Sequence, residues 1–324
     1  MKPVVKIGAF AAALAATFGT AYGVGNAVGP VSSDDGGGGG SGSHGHKETA
    51  AHAQHTPGAR QKSGAGTPGG LQISEGGYTL DLQTTRVPAG EKTALRFAVR
   101  GEDGRPVTEY RREHEKELHL IVASRDLTTF RHLHPARAAD GTWSTTAELP
   151  AAGTYRVFAD FTPAAGGENL TLGADLAVSG PYAPEALPRT GATARVDGYT
   201  VRLTGSLAPG ADSDLTFEVT RDGRPARLQP YLGAYGHLVA LRSGDLAYLH
   251  VHPHEEAHGS ATSGPEVAFT AAAPSTGDYR LFLDFKADGK VRTAAFTVHA
   301  GDATAVPEKP AASGEGHSGS GHGH

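Results

Sequence analysis

Residues 118–135 read LHLIVASRDLTTFRHLHP, and residues 236–253 read GHLVALRSGDLAYLHVHP. Each stretch is an apolar run, a polar turn and a second short run, the pattern of two strands joined as a hairpin. Three histidines and a proline coincide at a constant offset. His119, His132, His134 and Pro135 align with His237, His250, His252 and Pro253. The repetition extends outward from the hairpins. Gly77-Tyr78-Thr79-Leu80 recurs as Gly198-Tyr199-Thr200-Val201, and Leu95, Phe97 and Val99 recur as Leu215, Phe217 and Val219. Gly104-Arg105-Pro106 returns as Gly223-Arg224-Pro225, and GTYRVFADF at 153–161 returns as GDYRLFLDF at 277–285. A period of about 120 residues is too long for a solenoid unit and fits tandem domains.

Within each copy the pattern is strand after strand. Tyr78–Gln83 and Thr93–Val99 alternate, and Trp143–Leu149, Tyr155–Phe161 and Leu170–Val178 follow. Turn signals such as Asp103-Gly104, Asp140-Gly141 and Ala152-Gly153 separate them. Short strands at this spacing, with no amphipathic helix of useful length, predict an antiparallel sandwich. Tyr155 and Tyr279 each begin a strong strand two residues after a glycine, reminiscent of the tyrosine corner of Ig-like sandwiches. The predicted fold is all-β: two tandem Ig-like antiparallel β-sandwich domains at 71–179 and 190–300, with a Pro-containing linker at 180–189.

The flanks differ in composition. Lys2 and Lys6 precede an uncharged run that lasts to Val31. Residues 1–31 therefore predict a hydrophobic helix that is either a signal peptide, cleaved after Gly23 or Ala27, or a retained transmembrane anchor. Everything from Asp34 onward is then outside the cytoplasm, secreted or anchored at the cell membrane. Residues 32–70 and 301–324 are Gly/Ser/His-rich arms that cannot bury enough apolar surface to fold and are expected to be disordered.

Composition limits the chemistry. Cysteine is absent and the single methionine is the initiator, so thiolate catalysis, disulfides and soft sulfur metal sites are excluded. The net charge of −5 carries no nucleic-acid signature. No nucleophile elbow, phosphate loop or HExxH stands in the chain, and no enzymatic activity is predicted.

The histidines remain. His132 and His134 are two apart and project from one face of a strand, as do His250 and His252. Pairing His119 opposite His132, and His237 opposite His250, puts leucines on one face and histidines on the other in both copies. Imidazole is a common ligand for transition metals. The expectation is a metal site in each domain: His119, His132 and His134 in the first, His237, His250 and His252 in the second. Asp160, Asp284 and His254 are secondary candidates. Asp160 and Asp284 also lie four residues after Arg156 and Arg280, which predicts a surface ion pair in each copy. Residues 109–117 (EYRREHEKE) read as a solvated loop. A packed structural cluster of histidines is the alternative to ligation.

The segment HLIV-x-S-x-DL-x-x-F-x-H-x-HP, followed by G-x-Y-x-x-F-x-DF, resembles a family of exported, actinobacterial-type bacterial proteins often described as secreted or heavy-metal-associated. Some of these resemble small Ig-like domains found near copper-handling genes. The match is best over 117–161; the second copy departs at Gly244-Asp245-Leu246, where Asp-Leu is displaced by one. The resemblance implies export, a β-sandwich and a link to metal. Together these readings predict an extracytoplasmic buffer or chaperone for Cu(II) or Zn(II), with a cell-surface or metal-transport protein as partner. The competing prediction is a cell-surface structural or interaction protein.

Overall fold

The computed structural model describes residues 67–249, 251–254 and 263–301. The hydrophobic segment 1–31, nearly all of both His-rich arms, His250 and His258 lie outside the described residues. Among the described residues no helix is long and apolar enough to cross a membrane; all regular structure is strand.

The first repeat is two sheets. One runs in the order Ser74–Glu75, Tyr78–Leu82, Lys92–Arg100, Trp143–Glu148, Ala136–Arg137. The other runs Arg86–Pro88, Leu170–Ser179, Gly153–Pro163, Leu118–Ser124, Phe130–Leu133, with Tyr110–Arg111 added beside Gly153–Pro163. The second repeat has the corresponding sheets, Thr193–Val196, Tyr199–Thr204, Asp212–Arg221, Glu266–Ala272, Val251–Pro253 and, facing it, Tyr248–Leu249, Gly236–Arg242, Gly277–Ala287, Lys290–Ala300. Pairing among the described strands is antiparallel except where Arg86–Pro88 runs parallel to Leu170–Ser179; the isolated bridge Pro209–Ala273 in the second repeat is parallel too. The fold is thus a pair of Ig-like sandwiches, as the strand patterning requires.

Alternation explains each core. Leu118, Leu120 and Val122 point inward with Val157, Ala159, Phe161, Phe97 and Trp143 in the first repeat. Leu238, Ala240, Leu281, Leu283, Phe285, Phe217 and Phe296 fill the equivalent space in the second. Trp143 stacks on Phe97 at 6.3 Å and donates from Nε1 to the Tyr110 hydroxyl at 3.2 Å. The tyrosine corner is formed in both repeats: Tyr155 donates to the Ala151 carbonyl, and Tyr279 to that of Ser275, each at 2.8 Å.

A third apolar cluster lies between the repeats. Ile121, Ala123, Leu127, Phe130 and Phe158 of the first meet Val239, Leu241, Leu246 and Phe282 of the second. Phe130 stacks on Phe282 with ring centres 4.1 Å apart, and Phe158 meets Tyr248 at 5.6 Å. Leu127 and Leu246 reach this cluster from left-handed backbone (φ 60° and 63°), a conformation costing a non-glycine residue roughly 1–2 kcal/mol. Burial of about 1.5–3 kcal/mol per leucine offsets that cost. The displaced Asp-Leu of the second copy therefore still delivers its leucine to the same place.

The chain entering the first sandwich also touches the second. Tyr248 donates its backbone N–H to the Gly69 carbonyl at 2.9 Å, and Arg156 Nε donates to the Gly70 carbonyl at 2.7 Å. A Cβ at Gly173 would stand 2.0 Å from that Gly70 oxygen, so only glycine admits this close pass.

Candidate metal centre

The first hairpin carries three histidines to one place. Ile121 pairs with His132, and Ala123 with Phe130. The register is shifted by two residues from the expected one, in which His119 faced His132. A two-residue shift preserves the faces, so His119, Ile121, Phe130 and His132 still share the outer face. His134 follows where the strand ends. One ring nitrogen from each of His119, His132 and His134 lies within 4.8 Å of the others. Ring centres are 5.3 Å apart for His119–His132, 5.3 Å for His119–His134 and 4.8 Å for His132–His134. Three imidazoles bound to one tetrahedral ion through metal–nitrogen bonds of about 2.0–2.1 Å place their centres about 5 Å apart. The triad has that spacing.

Hydrogen bonding fixes which nitrogens are bare. His119 Nε2 lies 3.1 Å from the Glu113 carbonyl; a carbonyl only accepts, so the proton is on Nε2 and Nδ1 keeps its lone pair. His132 Nδ1 lies 2.8 Å from Asp284 Oδ2 and donates to it, so in the neutral ring His132 Nε2 is bare. These two bare nitrogens face each other at 3.0 Å. Lone pairs at that distance repel unless a proton or a metal ion lies with them. His134 Nε2 is buried without a hydrogen-bond partner among the described residues. Burial pushes the His119 imidazolium down to about 2, aided by the neighbouring His132. Burial likewise lowers His134 to about 4, with His132 and Lys116 adding to the effect. Both rings are held neutral, the state that ligates.

Asp284 comes from the second repeat. It is 3% exposed and also accepts from the Thr293 hydroxyl at 2.5 Å. A carboxylate behind a histidine in this manner orients the ring and raises its basicity as a ligand. Among the described residues, the arginines expected to pair with Asp160 and Asp284 contact other groups. Arg156 instead pairs with Asp175 at 2.8 Å, Arg280 donates to the Thr297 hydroxyl, and Asp160 accepts from Asn169 at 2.7 Å and from the Tyr248 hydroxyl at 3.4 Å. The face shared by each Arg–Asp pair also borders neighbouring strands, and those strands supply nearer partners.

Of the second set, His237 is described in full and His252 by its backbone alone. His237 lies on Gly236–Arg242, whose partner Tyr248–Leu249 is only two residues long. The chain then joins the facing sheet, where His252 pairs with Thr270. The two histidines thus stand on different sheets; the His252 side chain and His250 are outside what is described. His254 contacts Thr270 at 2.7 Å and Asp214 at 3.4 Å on that facing sheet, apart from the triad. His237 instead joins the first cluster: its ring centre is 6.2 Å from that of His132. Burial lowers its imidazolium to about 4.

His114 was hidden in the segment read as a solvated loop. Glu113–Lys116 is a tight turn closed by mutual backbone bonds, and the His114 ring centre is 5.1 Å from that of His237. The matching turn Tyr231–Ala234 carries Gly233, the one sequence signal that would have marked it. A cavity of about 290 Å³ borders His119, His132, His237, Asp160 and Tyr248 and gives the cluster a way in.

A tandem all-β protein with a histidine cluster at the boundary between its repeats is the class these features define. The chain belongs to the family described as Domain of unknown function (DUF8832), which matches it twice, over residues 72–180 and 194–302. No curated protein matches. Solved structures that align include a mutant of Salmonella alpha-2-macroglobulin (17% identity, TM-score 0.25, covering 73% of this chain and 15% of that one). InvD of Yersinia pseudotuberculosis aligns at 13% identity and TM-score 0.24, over 72% of this chain and 62% of its own. A putative membrane anchored protein of Corynebacterium diphtheriae aligns at 12% and 0.21, over 69% and 57%. TM-scores of this size carry no argument about function.

Proposed function

We propose that the protein binds a divalent transition metal outside the cytoplasm, holding one ion of Cu(II) or Zn(II) on His119, His132 and His134. The observation that carries this reading is the 3.0 Å contact of His119 Nδ1 with His132 Nε2, two nitrogens that are both bare when the rings are neutral. A shared proton would satisfy that pair alone; a metal also satisfies the buried His134 Nε2. Nitrogen and oxygen donors alone give Cu(II) the higher intrinsic affinity, while the tetrahedral spacing of the triad suits Zn(II). Extracytoplasmic placement rests on the N-terminal segment, which also anchors the chain to a membrane if it is retained. The role is a buffer or chaperone, its partners the metal ion and a cell-surface or metal-transport protein.

The test is the metal content of the full chain, dialysed after exposure to Cu(II) or Zn(II), against the His119→Ala/His132→Ala/His134→Ala variant. One tightly held ion is expected to disappear in the variant. Equal content in both would leave the histidines as a structural cluster that joins the repeats through His132 and Asp284.

A further inference from the structure

We propose that His237 is the fourth ligand of this ion, so that the metal is held across the boundary between the two repeats; this rests on the reading of the triad as a metal seat. His237 is 9% exposed. Its Nε2 lies 2.7 Å from the Tyr231 carbonyl, as that of His119 lies against Glu113. Glu113 and Tyr231 hold matching places. Each closes a tight turn, with Lys116 and Ala234 respectively. The two central residues of each turn are left-handed: His114 and Glu115 at φ 48° and 64°, Leu232 and Gly233 at 54° and 73°. The fold therefore builds one device twice, a carbonyl that takes the Nε2 proton and leaves Nδ1 bare. His119 directs its bare nitrogen into the triad. The Nδ1 of His237 has no hydrogen-bond partner among the described residues, and its ring borders the same cavity as His119 and His132.

The distance is close to what a fourth ligand needs. At 6.2 Å from His132, the ring centre is about 1 Å beyond the spacing of two imidazoles on one tetrahedral ion. Coordination by His237 therefore requires its ring to move toward the triad, which alone among the described residues has its ligand atoms within 4.8 Å of one another. His114 is the competing candidate, 6.2 Å from His119 and 5.1 Å from His237 between ring centres. It sits exposed on its turn, and more conformational freedom is lost in fixing it than in fixing a buried ring. Four nitrogen ligands fill a tetrahedron. Such a closed site retains metal, whereas catalytic sites keep a position open.

One equivalent of Cu(II) added to the full chain, with the coordinated imidazoles counted by pulsed EPR, tests the assignment. The variants are His237→Ala, His237→Gln and His114→Ala, each checked for folding by metal-free thermal unfolding. Four imidazoles are expected in the parent and in His114→Ala, and three in both His237 variants. Affinity of the His237 variants, measured by chelator competition, should fall by more than the roughly 10–100-fold that an outer-shell partner costs. Three imidazoles in the parent, four in the His237 variants, or a loss confined to His114→Ala overturns the proposal. If a His237 variant unfolds, the ¹⁵N shift of His237 Nδ1 on adding Zn(II) to the parent chain reads the same bond, and an unmoved resonance overturns it equally. Binding that survives His132→Ala unchanged marks a different failure, that of the triad as a metal seat.

Discussion

The two hairpins share their histidine spacing and part company in where their second strands go. In the first repeat Phe130–Leu133 stays on Leu118–Ser124 for four residues, and the chain reaches the facing sheet only at Ala136. In the second, pairing ends after Tyr248 and Leu249, and the facing sheet takes over at Val251. His132 and His134 are thereby kept beside His119, while His252 is carried to the other sheet. One spacing yields two outcomes because strand exchange, which spacing does not record, decides the neighbours. Among the described residues the histidines gather in one composite cluster, with His237 and Asp284 contributed by the second copy.

The sharpest way to break this comparison is to mutate the matching positions. His134→Ala is expected to abolish tight Cu(II) retention, and His252→Ala to leave it intact, in a chelator competition. Equal loss in both would mean that the second hairpin holds metal after all. Next in size is the boundary itself. Phe282→Ala removes the ring stacked on Phe130 and should destabilise the metal-free chain by about 3–5 kcal/mol in chemical denaturation. A negligible change would show that the repeats do not depend on that stack.

Asp284→Asn keeps the shape of the His132 partner and removes its charge. Metal affinity should drop about 10–100-fold, although the substituted residue sits in the other repeat from the triad. Asp160→Asn, at the matching position, should change affinity little. For pH, His119, His134 and His237 all have imidazolium pKa values lowered first by burial, to about 2, 4 and 4. The unfolded chain, with histidines near their ordinary value of about 6.5, binds protons that the folded state refuses. Stability of the metal-free protein is therefore full above about pH 6.5 and falls as pH drops toward about 4. Denaturation midpoints at pH 7 and pH 5 check this; a higher midpoint at pH 5 would contradict the burial of these rings. The smallest effect is at the tyrosine corners. Tyr155→Phe should cost about 1 kcal/mol. Tyr279→Phe should cost slightly more, because the Ser275 N–H also donates to its hydroxyl, at 3.3 Å.

Strand positions, the repeat and the outward face of the histidines could all be read from the sequence, because alternation reports directly which side chains share a face. The register could not. A shift of two residues moves every partner and leaves every face unchanged, so the pattern is blind to it. The boundary was hidden for a related reason. Ile121, Ala123 and Phe130 share the histidine face, and nothing in the chain says that a second copy covers it. Asp284 became legible only with that boundary, since its partner His132 is 152 positions away. His114 was lost in a charged stretch whose tight turn lacks the glycine that marks its counterpart at Gly233.

The stack of Phe130 on Phe282 and the contact of Phe158 with Tyr248 exchange matching positions of the two copies: Phe130 corresponds to Tyr248, and Phe158 to Phe282. This is the isologous geometry of a twofold homodimer, drawn here within a single polypeptide. Two separate chains using this face would associate only as their concentration allowed. A tether fixes the effective concentration at about the millimolar level typical of short linkers, so the pairing no longer depends on expression. It also frees the halves from identity: a substitution in one copy need not be mirrored in the other. An asymmetric metal cluster on a nearly symmetric interface is open to such a fused chain and closed to a true homodimer.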